Sequence, residues 1–527
     1  MFKMGIDVGG TNTDAVLLDD KNQVVFALKT PTTADVESGI LTALDQMMKS
    51  GAASAEKIGA IMLGTTHATN AIIERRHLSK IACVRICLPA GTAIEPLFTW
   101  PDDLKAATGQ DYYYVHGGCE SNGKPLAGET LDRAECMAVL DAIKLSGAES
   151  IAVTAIFSSV QNSYENEFAE LAADVLGRAF PVTMSYQIGS LGILARENST
   201  ALNAALIGVA RTIVNGLALA LAHHDIDADI YFAQNDGTLM DINCAQRYPI
   251  LTIGSGPTNS IRGAAQLSGL QECIICDIGG TTTDIGILVQ GFPRESSVAV
   301  TIGGVKTNFR MPDIISIGIG GGSIVRETDH GVTVGPDSVG YEITSRSYAF
   351  GGNVLTATDC LLASGLAHID HPDCDARRLR KVAKKVWQSA IENITNQVTD
   401  AIDQIKTSPK DIPVVLVGGG IILIPGDIQG ASEVIRPKHS GCANAVGAAM
   451  ADISGGVDRL FSMAGRAREE VLAQAGEQAK YQAIASGAEP ESVELVELEE
   501  LPLAYATGDV VRIKAKAVGR RKDRRHG

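Results

Sequence analysis

Asp7-Val-Gly-Gly-Thr-Asn-Thr-Asp-Ala-Val-Leu-Leu18 returns 270 positions later as Asp277-Ile-Gly-Gly-Thr-Thr-Thr-Asp-Ile-Gly-Ile-Leu288, with seven of the twelve positions identical. A match this long around a Gly-Gly core marks two copies of one supersecondary unit. Each copy reads as an apolar strand, a Gly-Gly-Thr turn and a second apolar strand: a hairpin whose loop is small and rich in hydroxyls. The glycines let backbone N–H groups approach a polyphosphate, and adjacent N–H groups form an anion-binding concavity. Gly9, Gly10, Thr11, Asn12 and Thr13 in the first copy, and Gly279, Gly280, Thr281, Thr282 and Thr283 in the second, are therefore candidate phosphate-binding residues. Asp7 and Asp277 stand at the strand ends that feed these turns. A carboxylate at each such end suits Mg²⁺, which takes a few carboxylates together with phosphate oxygens. Two hairpins of this kind facing each other would clamp a triphosphate, supplying the positioning and charge neutralisation that phosphoryl transfer requires. A single Gly-Gly turn is common in ordinary hairpins. Duplication changes that, as does a third glycine cluster, Gly418-Gly419-Gly420, directly after the apolar run Val414-Val-Leu-Val417.

The rest of the chain alternates short apolar runs with amphipathic stretches, the pattern of an α/β layer architecture. Helices are expected at Val36–Ser50, 131–146, 198–223 and 376–406, and strands at 58–63, Ile81–Leu88 and 151–157. A break near 181–190 divides the chain into a first domain of residues 1–185 and a second of 186–455. A small α+β module of 456–527 follows, with strand-like runs at 493–498 and 510–517. The basic stretch 512–526 reads as a solvated, frayed terminus, or else as a contact for an acidic partner.

Bulk properties narrow the function. A net charge of −16 argues against a general nucleic-acid binder, which needs a basic surface to displace counterions. No secretory signal and no membrane-spanning apolar run are visible, and the ten cysteines are scattered through apolar runs, so buried reduced thiols and a cytoplasmic location are expected. Cys273-x-x-Cys276 has metal or redox spacing but no second pair. The stretch 368–375 is dense in His, Asp and Cys and reads as a solvated turn with a helix N-cap. No Walker A motif and no Gly-x-Ser-x-Gly elbow occur. The run 318–323 superficially resembles a dinucleotide fingerprint, but it is followed by a strand and turn pattern instead of a helix.

The three glycine loops resemble the phosphate-1, phosphate-2 and adenosine motifs of the actin/sugar-kinase/Hsp70 superfamily, and the small-residue run 441–450 resembles its second connecting helix. A closer resemblance covers residues 1 to about 455. It rests on Leu63-Gly-Thr-Thr-His-Ala-Thr-Asn-Ala-Ile-Ile-Glu-Arg75, Arg196-Glu-Asn-Ser-Thr-Ala-Leu-Asn203, Gln234-Asn-Asp-Gly-Thr238, Ser255-Gly-Pro257, Ile317-Gly-Ile-Gly-Gly-Gly-Ser323 and Val334-Gly-Pro336. Together these are similar to the hydantoinase A/oxoprolinase family. Where that family often has Asp-Ile-His, this chain has Asp313-Ile314-Ile315, so a histidine role there is absent.

The resemblance implies two duplicated ribonuclease-H-like (actin-like ATPase) domains around a nucleotide cleft, with ATP and Mg²⁺ as cofactors. It also implies ATP-dependent opening of a cyclic amide through phosphorylation of the amide oxygen. Fused family members carry a second hydrolytic half, so a hydantoinase B-like partner subunit and an oligomeric assembly are expected. The resemblance places Asp7 and Asp277 at Mg²⁺ and Gly418, Gly419 and Gly420 against the nucleoside. Thr65, Thr66, Asn70 and Glu197 fall on the substrate side, with Asp14 and Asp284 as anchors. The alternative for Thr65 to Asn70 is a loop that caps the helix running to Arg75. A small-molecule kinase and a regulatory ATPase are the competing functions.

Overall fold

A computed structural model of the chain describes residues 1–9, 12–31, 36–52, 54–189, 191–296, 300–308, 311–329, 331–503 and 510–522. Three sheets carry an α/β architecture with mixed strand directions. The first has nine strands, in the order Glu494–Pro502, Val510–Gly519, Ile453–Ser462, Leu239–Asp241, Asp229–Ala233, Ile58–Thr65, Phe2–Val8, Asn12–Leu18 and Val24–Pro31. The first repeat copy is its hairpin Phe2–Val8 and Asn12–Leu18, antiparallel with Asp7 opposite Asp14; Ile58–Thr65 runs parallel on the other side. The second sheet holds the second copy, Cys273–Ile278 and Thr283–Val289, antiparallel with Asp277 opposite Asp284. Ile412–Val417 runs parallel beside it, and Ile314–Ile317 pairs with its outer strand. The third sheet is wholly parallel and lies within the expected first domain: Asp111–His116, Ile81–Leu88, Ser150–Ala155 and Val182–Met184.

The expected boundaries fail at two places, and for one reason: sheet pairing joins segments far apart in sequence. Residues 186–455 contribute Asp229–Ala233 and Leu239–Asp241 to the same sheet as residues 1–65. The C-terminal strands are not a separate module either, because Leu239 pairs with Ile453 and so extends that sheet to Val510–Gly519. The basic stretch is likewise no frayed end over residues 510–519. It is a strand flanked on both sides, in which Arg512 bonds Asp458 at 2.7 Å, Lys516 bonds Asp236 at 2.7 Å and Lys514 bonds Glu295 at 2.9 Å. Residues 523–527 lie outside the described residues.

Local chemistry explains the elements that the periodicity predicts. The helix Arg133–Ser146 starts where the Asp132 carboxylate accepts the N–H groups of Ala134 and Glu135, and it stops at Gly147, whose φ of 76° only glycine adopts without strain. The long helix Ile193–His223 is apolar enough to cross a membrane by composition, yet 67% of that window is buried. It packs against the third sheet and against the helix Val36–Ser50, so it serves as a core helix. All ten cysteines are free; Cys273 and Cys276 are buried in their strand, as expected. Asp375 caps the short helix Ala376–Lys381 beside the exposed His371, the expected turn and cap.

Two helices join the halves. Ala443–Met450 lies on Phe2–Val8, Asn12–Leu18 and Ile58–Thr65 of the first sheet, and Ser255–Ser268 lies on Cys273–Ile278, Thr283–Val289 and Ile412–Val417 of the second. They touch each other backbone to backbone. A Cβ at Gly263 would overlap the Ala443 carbonyl, one at Gly447 would overlap the Asn259 carbonyl, and one at Gly5 would overlap the Ala445 carbonyl. The small residues of 441–450 therefore buy close approach, as a connecting helix requires. Gly447→Val should force the helices apart and lower stability by roughly 1–3 kcal/mol or more. Chemical denaturation of the variant measures this, and an unchanged midpoint would contradict the packing.

Candidate active site

The two hairpin turns have the same internal bond. Gly9 N–H donates to the Asn12 carbonyl at 3.0 Å, and Gly279 N–H donates to the Thr282 carbonyl at 2.9 Å. Each hairpin also carries a row of polar residues across neighbouring strands. In the first sheet the row runs Gly64, Asp7, Asp14, Lys29, with Lys29 Nζ 2.5 Å from Asp14 Oδ1. In the second it runs Val417, Asp277, Asp284, Ser316, with the Ser316 hydroxyl donating to Asp284 Oδ1 at 2.5 Å. A side chain at Gly64 would collide with Asp7 Oδ1, and one at Gly418 would collide with Asp277 Oδ1. Glycine at these two positions leaves room for the carboxylates.

The rows meet through the bridging helices. Asn444 Nδ2 donates to Asp7 Oδ2 at 3.2 Å, and the Ser260 hydroxyl contacts both Asn444 Oδ1 and Asp277 Oδ2. A continuous polar chain thus links Asp7 to Asp277. A hydroxyl owns one proton, so Ser260 can donate to only one of its two neighbours. Burial bears on both aspartates. It raises the proton affinity of Asp7, opposed by the Asn444 hydrogen bond and reinforced by the charge of Asp277. It likewise raises that of Asp277, opposed by Ser260 and Lys29. Asp14 and Asp284 are each pushed up to about 6, again chiefly by burial. Asp7 Oδ1 and both amide atoms of Asn259 beside it are buried without a partner in hydrogen-bond geometry.

The structure brings most of the expected site residues together. Gly10 and Thr11 lie outside the described residues. Gly9 and Asn12 are half-buried in the first turn, while Thr281 and Thr282 are exposed on the second. Thr13 and Thr283 are buried, and the Thr283 hydroxyl donates to the Ile319 carbonyl at 2.7 Å, so it braces the turn from behind. Gly418 to Gly420 pack on the second turn, with Gly420 N–H donating to the Ile278 carbonyl at 2.7 Å. Thr66 holds the end of the Asp7 strand: its N–H and its hydroxyl each donate to the Val8 carbonyl at 3.3 Å. Asn70 donates to the Thr66 hydroxyl at 3.4 Å, and Thr65 Oγ1 lies 2.6 Å from the His67 ring. The helix His67–Glu74 follows; its N-cap residue Thr66 makes no side-chain capping bond, and the His67 N–H donates to the Thr65 hydroxyl at 3.2 Å.

Glu197 stands apart. Both of its oxygens bind the buried Arg85 guanidinium, at 2.8 and 2.5 Å. Four residues that sequence reasoning missed sit in the cluster: Lys29, Asn259, Ser260 and Asn444. One signal was available, since Asn444 is the only polar side chain in Ala443–Met450. The loop 318–323 also has a role that the motif did not suggest. Gly321 and Gly322 N–H groups donate to the Gly279 and Gly280 carbonyls, backing the second turn.

The hydantoinase/oxoprolinase N-terminal region model matches residues 3–176, and the hydantoinase/oxoprolinase model matches residues 196–371. The chain belongs to the hydantoinase/oxoprolinase family. That family is consistent with the actin/Hsp70/sugar-kinase ATPase superfamily. Among curated relatives, the caprolactamase subunit alpha of Pseudomonas jessenii is 25% identical over 76% of this chain and 59% of its own length. The acetophenone carboxylase gamma subunit of Aromatoleum aromaticum is 26% identical over 69% and 53%. This chain therefore spans little more than half of either relative. Among solved structures, the ATP-dependent caprolactamase of Pseudomonas jessenii superposes with a TM-score of 0.79 at 19% identity, covering 98% of this chain and 88% of that one. An acetone carboxylase structure gives 0.66 at 17% identity with the same coverage. These likenesses show a shared α/β fold, consistent with the actin-like ATPase kind.

Within the family pattern, Arg196-Glu-Asn-Ser-Thr-Ala-Leu-Asn203 is a polar hub at the head of the long helix. Arg196 donates to the Ala155 carbonyl, Glu197 binds Arg85, Asn198 accepts from the Trp100 indole at 2.9 Å and donates to the Lys306 carbonyl, and Asn203 donates to the Arg247 carbonyl. It ties the third sheet to the rest of the molecule. A separate trio, Asp45, His223 and His224, sits at the other end of that helix and involves none of the hairpin residues.

The chemistry of the cluster fits a divalent cation of oxygen preference. Asp7 and Asp277 present carboxylates beside two phosphate-type turns, and the second Asp7 oxygen has only the Asn259 amide beside it, outside good hydrogen-bond geometry. The raised acids also set a pH dependence. A carboxyl whose folded-state pKa lies above its unfolded value of 3.8 contributes stability that is fully present below 3.8 and lost as pH rises through about 6. Asp284→Asn removes that charge and keeps an acceptor for Ser316. The variant should melt above the wild type at pH 8, by about 2 °C or more, and match it or fall below at pH 4.5. Thermal melts at both values check this; an equal difference at the two would refute it.

Proposed function

We propose that this chain is the ATP-driven component of a cyclic-amide hydrolase, placing the γ-phosphoryl group of ATP on the carbonyl oxygen of a lactam or imide. The observation that carries the reading is the polar chain from Asp7 through Asn444 and Ser260 to Asp277, which joins the two repeat turns at one site. In this reading two duplicated ribonuclease-H-like halves enclose the nucleotide. Gly9, Asn12, Gly279, Gly280, Thr281 and Thr282 cradle phosphates, and Gly418 to Gly420 lie against the nucleoside. Asp7 and Asp277 hold Mg²⁺, directly or through its waters, and the ion supplies charge neutralisation on the phosphates. Thr65, Thr66 and Asn70, beside the end of the Asp7 strand, face the acceptor. Glu197 serves by fixing Arg85 in the wall.

An amide is a poor electrophile because resonance ties up its carbonyl. Transfer forms a bond from the carbonyl oxygen to the γ-phosphorus and breaks the β–γ bridging bond, whose electron pair leaves with ADP. Water then adds to the activated carbon, the ring C–N bond breaks with its pair going to nitrogen, and a second water releases phosphate. This chain spans only part of its relatives, three of which are named as subunits, and a hydantoinase B-like subunit is the natural site for the hydrolytic steps. Carboxylase names among the relatives favour a second acceptor, the enolate oxygen of a ketone, reached by the same phosphoryl transfer.

Phosphorus NMR with MgATP and panels of lactams, hydantoins and ketones tests the proposal. Free phosphate with an opened ring is expected. A stable phosphoester would mark a kinase instead, and phosphate release independent of substrate would mark a regulatory ATPase. Asp7→Asn and Asp277→Asn should each lower turnover by about 10²-fold or more. Unchanged turnover in both variants would remove them from the site.

A further inference from the structure

The two polar rows agree at Asp7 and Asp277 and at Asp14 and Asp284, then diverge at the next strand. The first sheet places Lys29 opposite Asp14, and the second places Ser316 opposite Asp284. The Lys29 ammonium is anchored on Asp14 at 2.5 Å, with a third of its side chain exposed. Its charge acts on Asp7, Asp14 and Asp277 together. Asp7 and Asp277 are thus served by one lysine, contributed by the first hairpin's neighbouring strand. The flanking loops show the same asymmetry. The acceptor-side segment Thr65 to Asn70 grows from the first sheet and is bonded to Val8, whereas Gly418 to Gly420 grow from the second and are bonded to Ile278.

We infer that Lys29 is the cation that meets the transferring phosphoryl group, with Asp14 as its positioning residue, so that the duplicated site is polarised toward its first half. The inference rests on the phosphotransfer reading above. During transfer, negative charge spreads over the oxygens of the moving phosphoryl group and gathers on the β–γ bridging oxygen. A fixed ammonium there lowers the barrier without moving a proton. Lysine suits the position because its compact charge can swing from Asp14 to a phosphate oxygen on a flexible stem. The repeat's other half has only a hydroxyl at the matching place, which can hold Asp284 but cannot neutralise a phosphate.

The test compares wild type, Lys29→Met and Lys29→Arg by steady-state kinetics and by fluorescent ADP and ATP binding in Mg²⁺. Lys29→Met should lose about 10²-fold in kcat or more while its ADP affinity stays within about threefold and its ATP affinity falls further, by more than 1 kcal/mol equivalent to about fivefold. Lys29→Arg should recover part of the loss in kcat. Because Lys29→Met leaves Asp14 buried and unpaired, the double variant Asp14→Asn/Lys29→Met guards against a folding defect and should show the same kinetic loss. A kcat within about threefold of wild type in the double variant, or equal losses of ADP and ATP affinity with kcat intact, would overturn the inference. Wild-type protein that binds no ATP would instead end the phosphotransfer reading itself.

Discussion

Two aspartates linked across a helix crossing, Asp7 buried and Asp277 half-buried, set the terms for the rest of this structure. Asp7 and Asp277 repel when both are charged, and burial adds to the penalty. A fold selected for stability alone would replace them with apolar residues. Here the surroundings are arranged to keep them: glycines at 64 and 418 make room, Asn444 and Ser260 supply hydrogen-bond partners, and Lys29 offsets part of the charge. Perturbed acids concentrated where two glycine loops converge mark this cluster as the candidate functional site.

The motifs that mark the family divide by what they touch. Gly9 and Asn12, Gly279 to Thr282 and Gly418 to Gly420 belong to the turns themselves. Others hold the turns in place. Gly321 and Gly322 hydrogen-bond the back of the second turn, Thr66 bonds the end of the first strand, and Asp236 of the Gln234 to Thr238 run is clamped by Lys516 at 2.7 Å. The Arg196 to Asn203 hub works at longer range, pinning the third sheet to the long helix. Glu197 shows why residue type alone misleads. An acid in a family motif looks catalytic in sequence, but a bidentate bond to a buried Arg85 gives it a structural task, and a broken pair of that kind would leave an uncompensated buried charge.

What was legible in the sequence was the part written locally. The duplicated hairpin, the helix Val36–Ser50 and the glycine loop after Val417 depend on neighbours a few residues away, and periodicity with turn chemistry suffices for them. What was not legible depends on pairing across hundreds of residues. Nothing near Leu239 announces Ile453 as its neighbour, so the domain boundaries followed the linear order and the sheets did not. The basic charges of Arg512, Lys514 and Lys516 looked solvated because their acids lie at 458, 295 and 236. Lys29 escaped for the same reason. It is one strand removed from the motif, and only register places it beside Asp14.

The helix crossing also decides how the halves can move. Ala443–Met450 rests on the first sheet and gives Asn444 to Asp7; Ser255–Ser268 rests on the second and gives Ser260 to Asp277. Each aspartate is therefore held by the helix packed against its own sheet, and the Ser260 to Asn444 contact is the joint between them. At Gly263 and Gly447 the two backbones touch with no side chains interleaved. Interdigitated side chains lock a pair of helices at one register, whereas a smooth backbone contact lets one slide along the other at small cost. A rotation of one sheet against the other would change the separation of Asp7 and Asp277 at this joint, and a ligand bridging the two aspartates would favour whichever arrangement it binds more tightly.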